Sequence, residues 1–137
     1  MLNLRVMEKV LNIVSKVESL REVEKLVDEV SAACKMSSEV YGNVMIATLE
    51  GANNAILHGN KLDAKKDVKI AFKWSPIKLE LEVKDQGNGF NYKDIPDPTA
   101  PWNVEKVNGR GVFLMKKLSD EIIFRENGRI VNLIFNL

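Results

Sequence analysis

Apolar side chains recur along this chain with two periods, and the switches between them mark out the elements. Val68, Ile70, Phe72 and Trp74 alternate with Lys69, Ala71 and Lys73; Ile77, Leu79, Leu81 and Val83 alternate with Lys78, Glu80, Glu82 and Lys84. Period two with charge on the second face predicts an antiparallel hairpin turning at Ser75-Pro76, with one face buried and one wet. Upstream the period becomes helical. Leu20, Val23, Leu26, Val27, Val30 and Ala33 share one stripe ending near Cys34, and Ser19 with Glu22 reads as its capping box. The Ser37-Ser38 pair offers the cap of a second helix, from about Glu39 to His58. Gly59 and Asn60 then tolerate the left-handed conformation that ends a helix. Val6 to Val14 holds enough Val, Ile and Leu for a first strand, although it alternates poorly.

Past the hairpin the pattern disappears from Asn91 to Asn108, where Pro96, Pro98, Pro101 and Trp102 lie. So long a patternless segment inside a compact domain is usually functional, often a lid. Order returns at Gly109-Arg110-Gly111, which opens a helix carrying Val112, Leu114, Met115 and Leu118. Glu121 to Arg125 and Ile130 to Leu137 flank Asn127-Gly128, the strongest short hairpin signal. The order is strand, helix, helix, two strands, loop, helix, two strands. It predicts an α+β sandwich: a mixed, mainly antiparallel sheet with helices on one face.

Composition narrows the picture. The 137 residues are 45% hydrophobic, enough for one domain, spanning 1–137, with a real core. Twenty basic and nineteen acidic residues leave a net charge of +1, without the basic excess that nucleic acid would require. The N-terminus is broken by charges too early for a signal peptide, and no apolar run approaches a membrane span. Cys34, the single cysteine, reads as a small buried hydrophobe in a reducing compartment rather than a nucleophile. These features predict a cytoplasmic protein without a membrane association.

Three stretches carry chemistry. Glu50, Asn54 and His58 fall at i, i+4 and i+8 of the second helix, so they form one polar stripe, apart from the apolar stripe of Met45, Leu49, Ala52 and Ile56. A carboxylate, an amide and an imidazole in one column read as a wall of a site. The Asn54 amide oxygen is of the hard kind that Mg²⁺ accepts, and Glu50 one turn earlier can take a proton from a hydroxyl. The plainer alternatives are a surface amide, a solvated charge and, for His58, a cap on the last helical carbonyls. Second, Asp85-x-Gly87-x-Gly89 follows a strand. Its glycines let a flat ring approach the backbone, and its carboxylate can accept a hydrogen bond from an exocyclic amine. Alone it is also an ordinary glycine-rich turn. It is not a dinucleotide fingerprint, because no helix starts within it. Third, Gly109-Arg110-Gly111 at a helix start suits an anion such as phosphate, with Arg110 either pairing with it or facing solvent.

Taken together, Glu50-x-x-x-Asn54-Ala55-x-x-His58-Gly59, Asp85-x-Gly87-x-Gly89-Phe90 and Gly109-Arg110-Gly111-Val112-x-Leu114-Met115 resemble the N, G1 and G2 boxes of the GHKL ATPase superfamily. The form of these boxes and the trailing Asp120-Glu121 look most like the bacterial anti-sigma-factor serine/threonine kinases, over nearly the whole chain. The resemblance implies a Bergerat-type (histidine-kinase-like) ATP fold with its ATP lid at about 91–108. It implies that Asn54 coordinates Mg²⁺ bridging the ATP phosphates and that Glu50 activates a partner's serine or threonine. Asp85 would read the adenine amine, Gly87 and Gly89 line the ring pocket, and Gly109, Arg110 and Gly111 hold the phosphates, with His58 supporting. Implied partners are a sigma factor, which is sequestered, and a small antagonist protein, which is phosphorylated; a homodimer is compatible with the family. One departure is that relatives often carry Gly-Thr in the last hairpin, where this chain has Gly128-Arg129-Ile130. Two other readings stand beside the kinase: a nucleotide-gated binding module, and the catalytic domain of a histidine kinase acting in trans. The last is weakest, since the only histidine, His58, lies inside the N box.

Overall fold

The computed structural model describes residues 6–89 and 107–137, with only the backbone of 107 and 108. The first strand, β1, spans Met7–Val14. Two helices follow, α1 (Leu20–Cys34) and α2 (Ser38–Asn54), and α2 runs on as a π-helical turn, Ala55–Gly59. Strands β2 (Asp67–Trp74) and β3 (Lys78–Lys84) form the hairpin, and α3 (Val107–Leu118), β4 (Glu121–Arg125) and β5 (Ile130–Asn136) complete the chain. The strands form one sheet in the order β1-β2-β3-β5-β4, antiparallel at all four pairings.

The helices cover one face of this sheet. Val23, Leu26, Val27 and Val30 of α1 and Val44, Ala47 and Ala52 of α2 are buried against Phe72, Leu79, Leu81, Leu133 and Phe135. Each large aliphatic side chain removed from water there contributes roughly 1.5–3 kcal/mol. The other face carries the alternating charges: Glu82 pairs with Lys69 at 3.2 Å and with Arg125 at 3.0 Å, and Asn132 accepts from Arg125 Nε at 2.9 Å. The two-layer α+β sandwich expected from periodicity is therefore the observed one, although among the described strands the sheet is antiparallel throughout rather than mixed, because each strand pairs with a neighbour running the opposite way. Cys34 is partly buried, and burial pushes its thiol pKa up to about 11, so it stays protonated and packs as a hydrophobe.

Several local expectations need correction. Ser19 does not cap α1: its φ/ψ of −65°/−16° is already helical, it follows a 3₁₀ turn over Val17–Ser19, and its N–H donates to Lys16 O at 3.0 Å. A serine can cap only from an extended conformation. Ser37 does so (φ −66°, ψ 162°), accepting from Val40 N at 3.2 Å. Gly59 and Asn60 do not take the left-handed turn that ends the second helix. Asn60 is right-handed (φ −86°), and Lys61 (φ 52°) and Leu62 (φ 59°) are the left-handed residues. Ile77, expected to be buried in the second strand, lies one residue ahead of β3 and is 62% exposed. Helix α3 begins at Val107, so Gly109 sits inside its first turn, and Val107 and Asn108 leave the expected lid; residues 91–106 of that lid lie outside the described ones. The last hairpin is wider than a two-residue Asn-Gly turn, with Glu126 (φ 49°), Asn127 (φ 58°) and Gly128 (φ 87°) left-handed in succession between the paired Arg125 and Ile130.

Candidate functional site

Strand β3 delivers Asp85 to the floor of a cleft between the sheet and helices α2 and α3. The Asp85 N–H donates to Arg129 O at 3.0 Å, which extends the β3–β5 pairing one step past Lys84 and Ile130. Asp85 as a whole is 8% exposed, and its Oδ1 accepts the Gly87 N–H at 2.8 Å. Burial raises the Asp85 pKa above the ordinary carboxyl value; the Gly87 N–H and the charges of Arg129 and Lys66 oppose this without cancelling it.

The glycines are there because other segments occupy the space a side chain would need. A Cβ on Gly59 would stand 2.4 Å from Asp85 Oδ2, and one on Gly87 would stand 2.0 Å from the Gly59 carbonyl oxygen. Gly89 has φ +81° and would meet Asn127 O at 2.2 Å. On the opposite wall, a Cβ on Gly111 would lie 2.9 Å from Asn54 Nδ2. The three sequence motifs thus touch one another, the third through Gly111 against Asn54. Between these walls lies the cleft, partly open to solvent. Polar groups of Asn54, His58, Asp85 and Arg129 line it, with Val83, Val112, Met115, Phe124 and Val131 between them. A mostly apolar cleft with a few convergent polar groups is the usual form of a small-molecule site.

The π turn bears on the polar stripe. In an α-helix each four-residue step overshoots the previous position by about 40°. A wider i→i+5 turn carries each residue less far around. His58 therefore stays on the side of Asn54, and both line the cleft, His58 at the exposed rim where desolvation lowers its pKa. Glu50 is half-buried one turn earlier and is not among the lining residues. Gly87 supports Asp85 from outside the lining, Gly109 is buried and Arg110 is exposed.

A sequence model of the family described as "Histidine kinase-like ATPase domain" matches residues 13–135. The chain belongs to that family. Relatives of this histidine kinase-like ATPase domain include the "Serine-protein kinase RsbW" of Bacillus licheniformis, 31% identical over 86 residues, which cover 58% of this chain and 54% of the relative. The protein of the same name from Bacillus subtilis gives the same identity and coverage, and that of Listeria monocytogenes is 23% identical over 99 residues, or 68% of this chain and 63% of the relative. The chain thus spans little more than half the length of the first relatives it matches. Among the described residues no helix is long and apolar enough to cross a membrane.

Residues outside the motifs complete the cleft. Val83 and Val131 are simply the inward positions of β3 and β5 nearest Asp85, and Phe124 carried no signal beyond its apolarity; Met115 joins them from the third motif. Arg129 lines the cleft and also holds its own turn, its Nε donating to Glu126 O at 3.2 Å.

Proposed function

We propose that this domain binds ATP with Mg²⁺ and transfers the terminal phosphoryl group to a serine or threonine of a small antagonist protein, while sequestering a sigma factor. The observation that carries the reading is Asp85, a buried carboxylate at the end of an apolar cleft whose opposite wall presents Asn54. When bound, Mg-ATP supplies the transferable phosphoryl group. Asp85 accepts a hydrogen bond from the adenine amine, and the apolar walls of Val112, Met115 and Val131 exclude water from the ring. The Asn54 amide oxygen is one protein ligand for the cation; Mg²⁺ sites commonly use one or two, with phosphates and water filling the octahedron. Gly109, Arg110 and Gly111 hold the phosphates near the start of α3, where helix N–H groups favour an anion. Glu50 takes the proton of the attacking hydroxyl. The printed name of the relatives, a serine-protein kinase, supports the choice of acceptor. The domain acts in the cytoplasm, alone or as a homodimer.

One observation favours a second reading. Glu50 lies outside the lining of the cleft, so the domain would serve as a nucleotide-gated binding module without transfer. The two part in one experiment. Purified protein, Mg²⁺ and γ-labelled ATP are added to host lysate, with Glu50→Gln alongside. A small protein labelled on serine or threonine by the wild type alone establishes the kinase. Nucleotide retained without labelling leaves the binding module, and no nucleotide retained removes both.

A further inference from the structure

We infer that Asn60, which does not itself line the cleft, is the positioning residue that aims Asp85 at the base; the inference rests on the nucleotide reading above. Asn60 is 2% exposed and immediately follows Gly59. Its Nδ2 donates to Ser15 Oγ at 2.9 Å and to Asp67 O at 3.0 Å, and its Oδ1 accepts the Gln86 N–H at 2.7 Å. The amide orientation follows from its partners, since a backbone N–H only donates and a carbonyl only accepts. Ser15 spends its own proton on Lys66 O at 2.5 Å, and Gln86 Oε1 accepts Asp67 N–H at 2.7 Å. One side chain thereby ties the end of the N-box helix to the exit of β1, the entry of β2 and the turn after β3.

The Gln86 N–H belongs to the peptide unit that leaves Asp85, while the N–H of Asp85 itself is held by Arg129 O. Both peptides flanking Asp85 are therefore fixed, one by β5 and one by Asn60. The direction of the Asp85 carboxylate follows from those two restraints together with its bond to Gly87. Two donors and one acceptor on a short stem is a requirement that only asparagine meets. Aspartate has no donor for Asp67 O, serine reaches at most one partner, and glutamine is a methylene too long.

Adenine presents an amine that a carboxylate can accept, whereas guanine presents a carbonyl oxygen at the same place. Discrimination between them therefore reads the aim of Asp85 directly. The test is calorimetric titration of the whole chain with Mg-ATP, Mg-GTP and Mg-tripolyphosphate, for wild type, Asn60→Ser, Asn60→Gln and Ser15→Ala. Asn60→Ser or Asn60→Gln, whichever folds, is expected to weaken ATP at least tenfold while GTP and tripolyphosphate change less than threefold. Ser15→Ala, which keeps the Gln86 bond, is expected to retain the preference within threefold. A merely structural Asn60 would lower the number of competent sites for all three probes alike and leave their ratios intact, and that result overturns the inference alone. Wild type that fails to prefer ATP overturns the reading of Asp85 and this inference together.

Discussion

Replacing Gly87 by alanine puts a carbon 2.0 Å from the Gly59 carbonyl oxygen and 2.7 Å from its carbon. A carbon–oxygen contact is comfortable only from about 3.3 Å, so the two segments must separate by roughly 1.3 Å. Both neighbours are backbone, and neither has a rotamer to give. Overpacking of this kind costs about 1–3 kcal/mol. Moving the turn also strains the Gly87 N–H bond to the buried Asp85 carboxylate, a charged hydrogen bond worth about 1.5–3 kcal/mol. The expected loss is about 3–5 kcal/mol, a large part of the roughly 5–15 kcal/mol that stabilises a typical domain. With a urea slope of about 1–3 kcal/mol/M, the midpoint should fall by more than 1 M. Circular dichroism at a helix band follows it. A loss below about 1 kcal/mol would mean that the Gly59–Gly87 approach is soft, and the argument that close packing dictates glycine there would fail.

Other consequences separate fold from function. Gly111→Ala gains about 0.8–1 kcal/mol of helix propensity while pressing a methyl onto the end of the Asn54 side chain, so stability should stay within about 1 kcal/mol of wild type. Mg-ATP binding should weaken roughly tenfold, equivalent to about 1.4 kcal/mol, and unchanged calorimetric affinity would remove Asn54 from the cation site. Asp85 has a folded pKa above its unfolded value, so its contribution to stability is present below the unfolded pKa and is lost as pH rises through the folded one. Wild type should therefore lose stability relative to Asp85→Asn from about pH 4 upward and then level off; urea titrations across pH that show the opposite slope refute the burial argument. Arg125→Ala, on the wet face, should cost at most about 1 kcal/mol, with the loss shrinking in high salt, because its partner Glu82 is also paired with Lys69 and the site is exposed.

Periodicity made the layers legible. The alternation in β2 and β3 and the apolar stripe of α1 each have a single solution that buries one face, and the structure adopts it. The motifs marked the walls of the cleft for the same reason that they are glycine-rich: backbone-to-backbone approaches leave a trace in composition. What stayed hidden depends on contacts between distant segments. Ser19 has the sequence of a cap, but the 3₁₀ turn ahead of it starts the helical geometry early. The left-handed positions fall on Lys61 and Leu62, residues with no preference for them, because the π turn and the Asn60 bonds fix where the chain must leave. Nothing local distinguishes Asn60 from any asparagine after a helix; only the arrival of Ser15, Asp67 and Gln86 around it does so.

Strand β5 follows β4 in the sequence yet lies between β3 and β4, and among the described strands β4 pairs only with β5. During synthesis, a nascent chain that has emerged only as far as Arg125 therefore lacks the strand that pairs with β4 and with one edge of β3. It also lacks Gly128, Arg129 and Val131, so the cleft has no far wall. Cleft and sheet are completed by the same few residues. Any product stalled or clipped before them carries an aggregation-prone open edge and half a cleft, so on the nucleotide reading a nucleotide-affinity column should separate molecules that contain β5 from those that lack it.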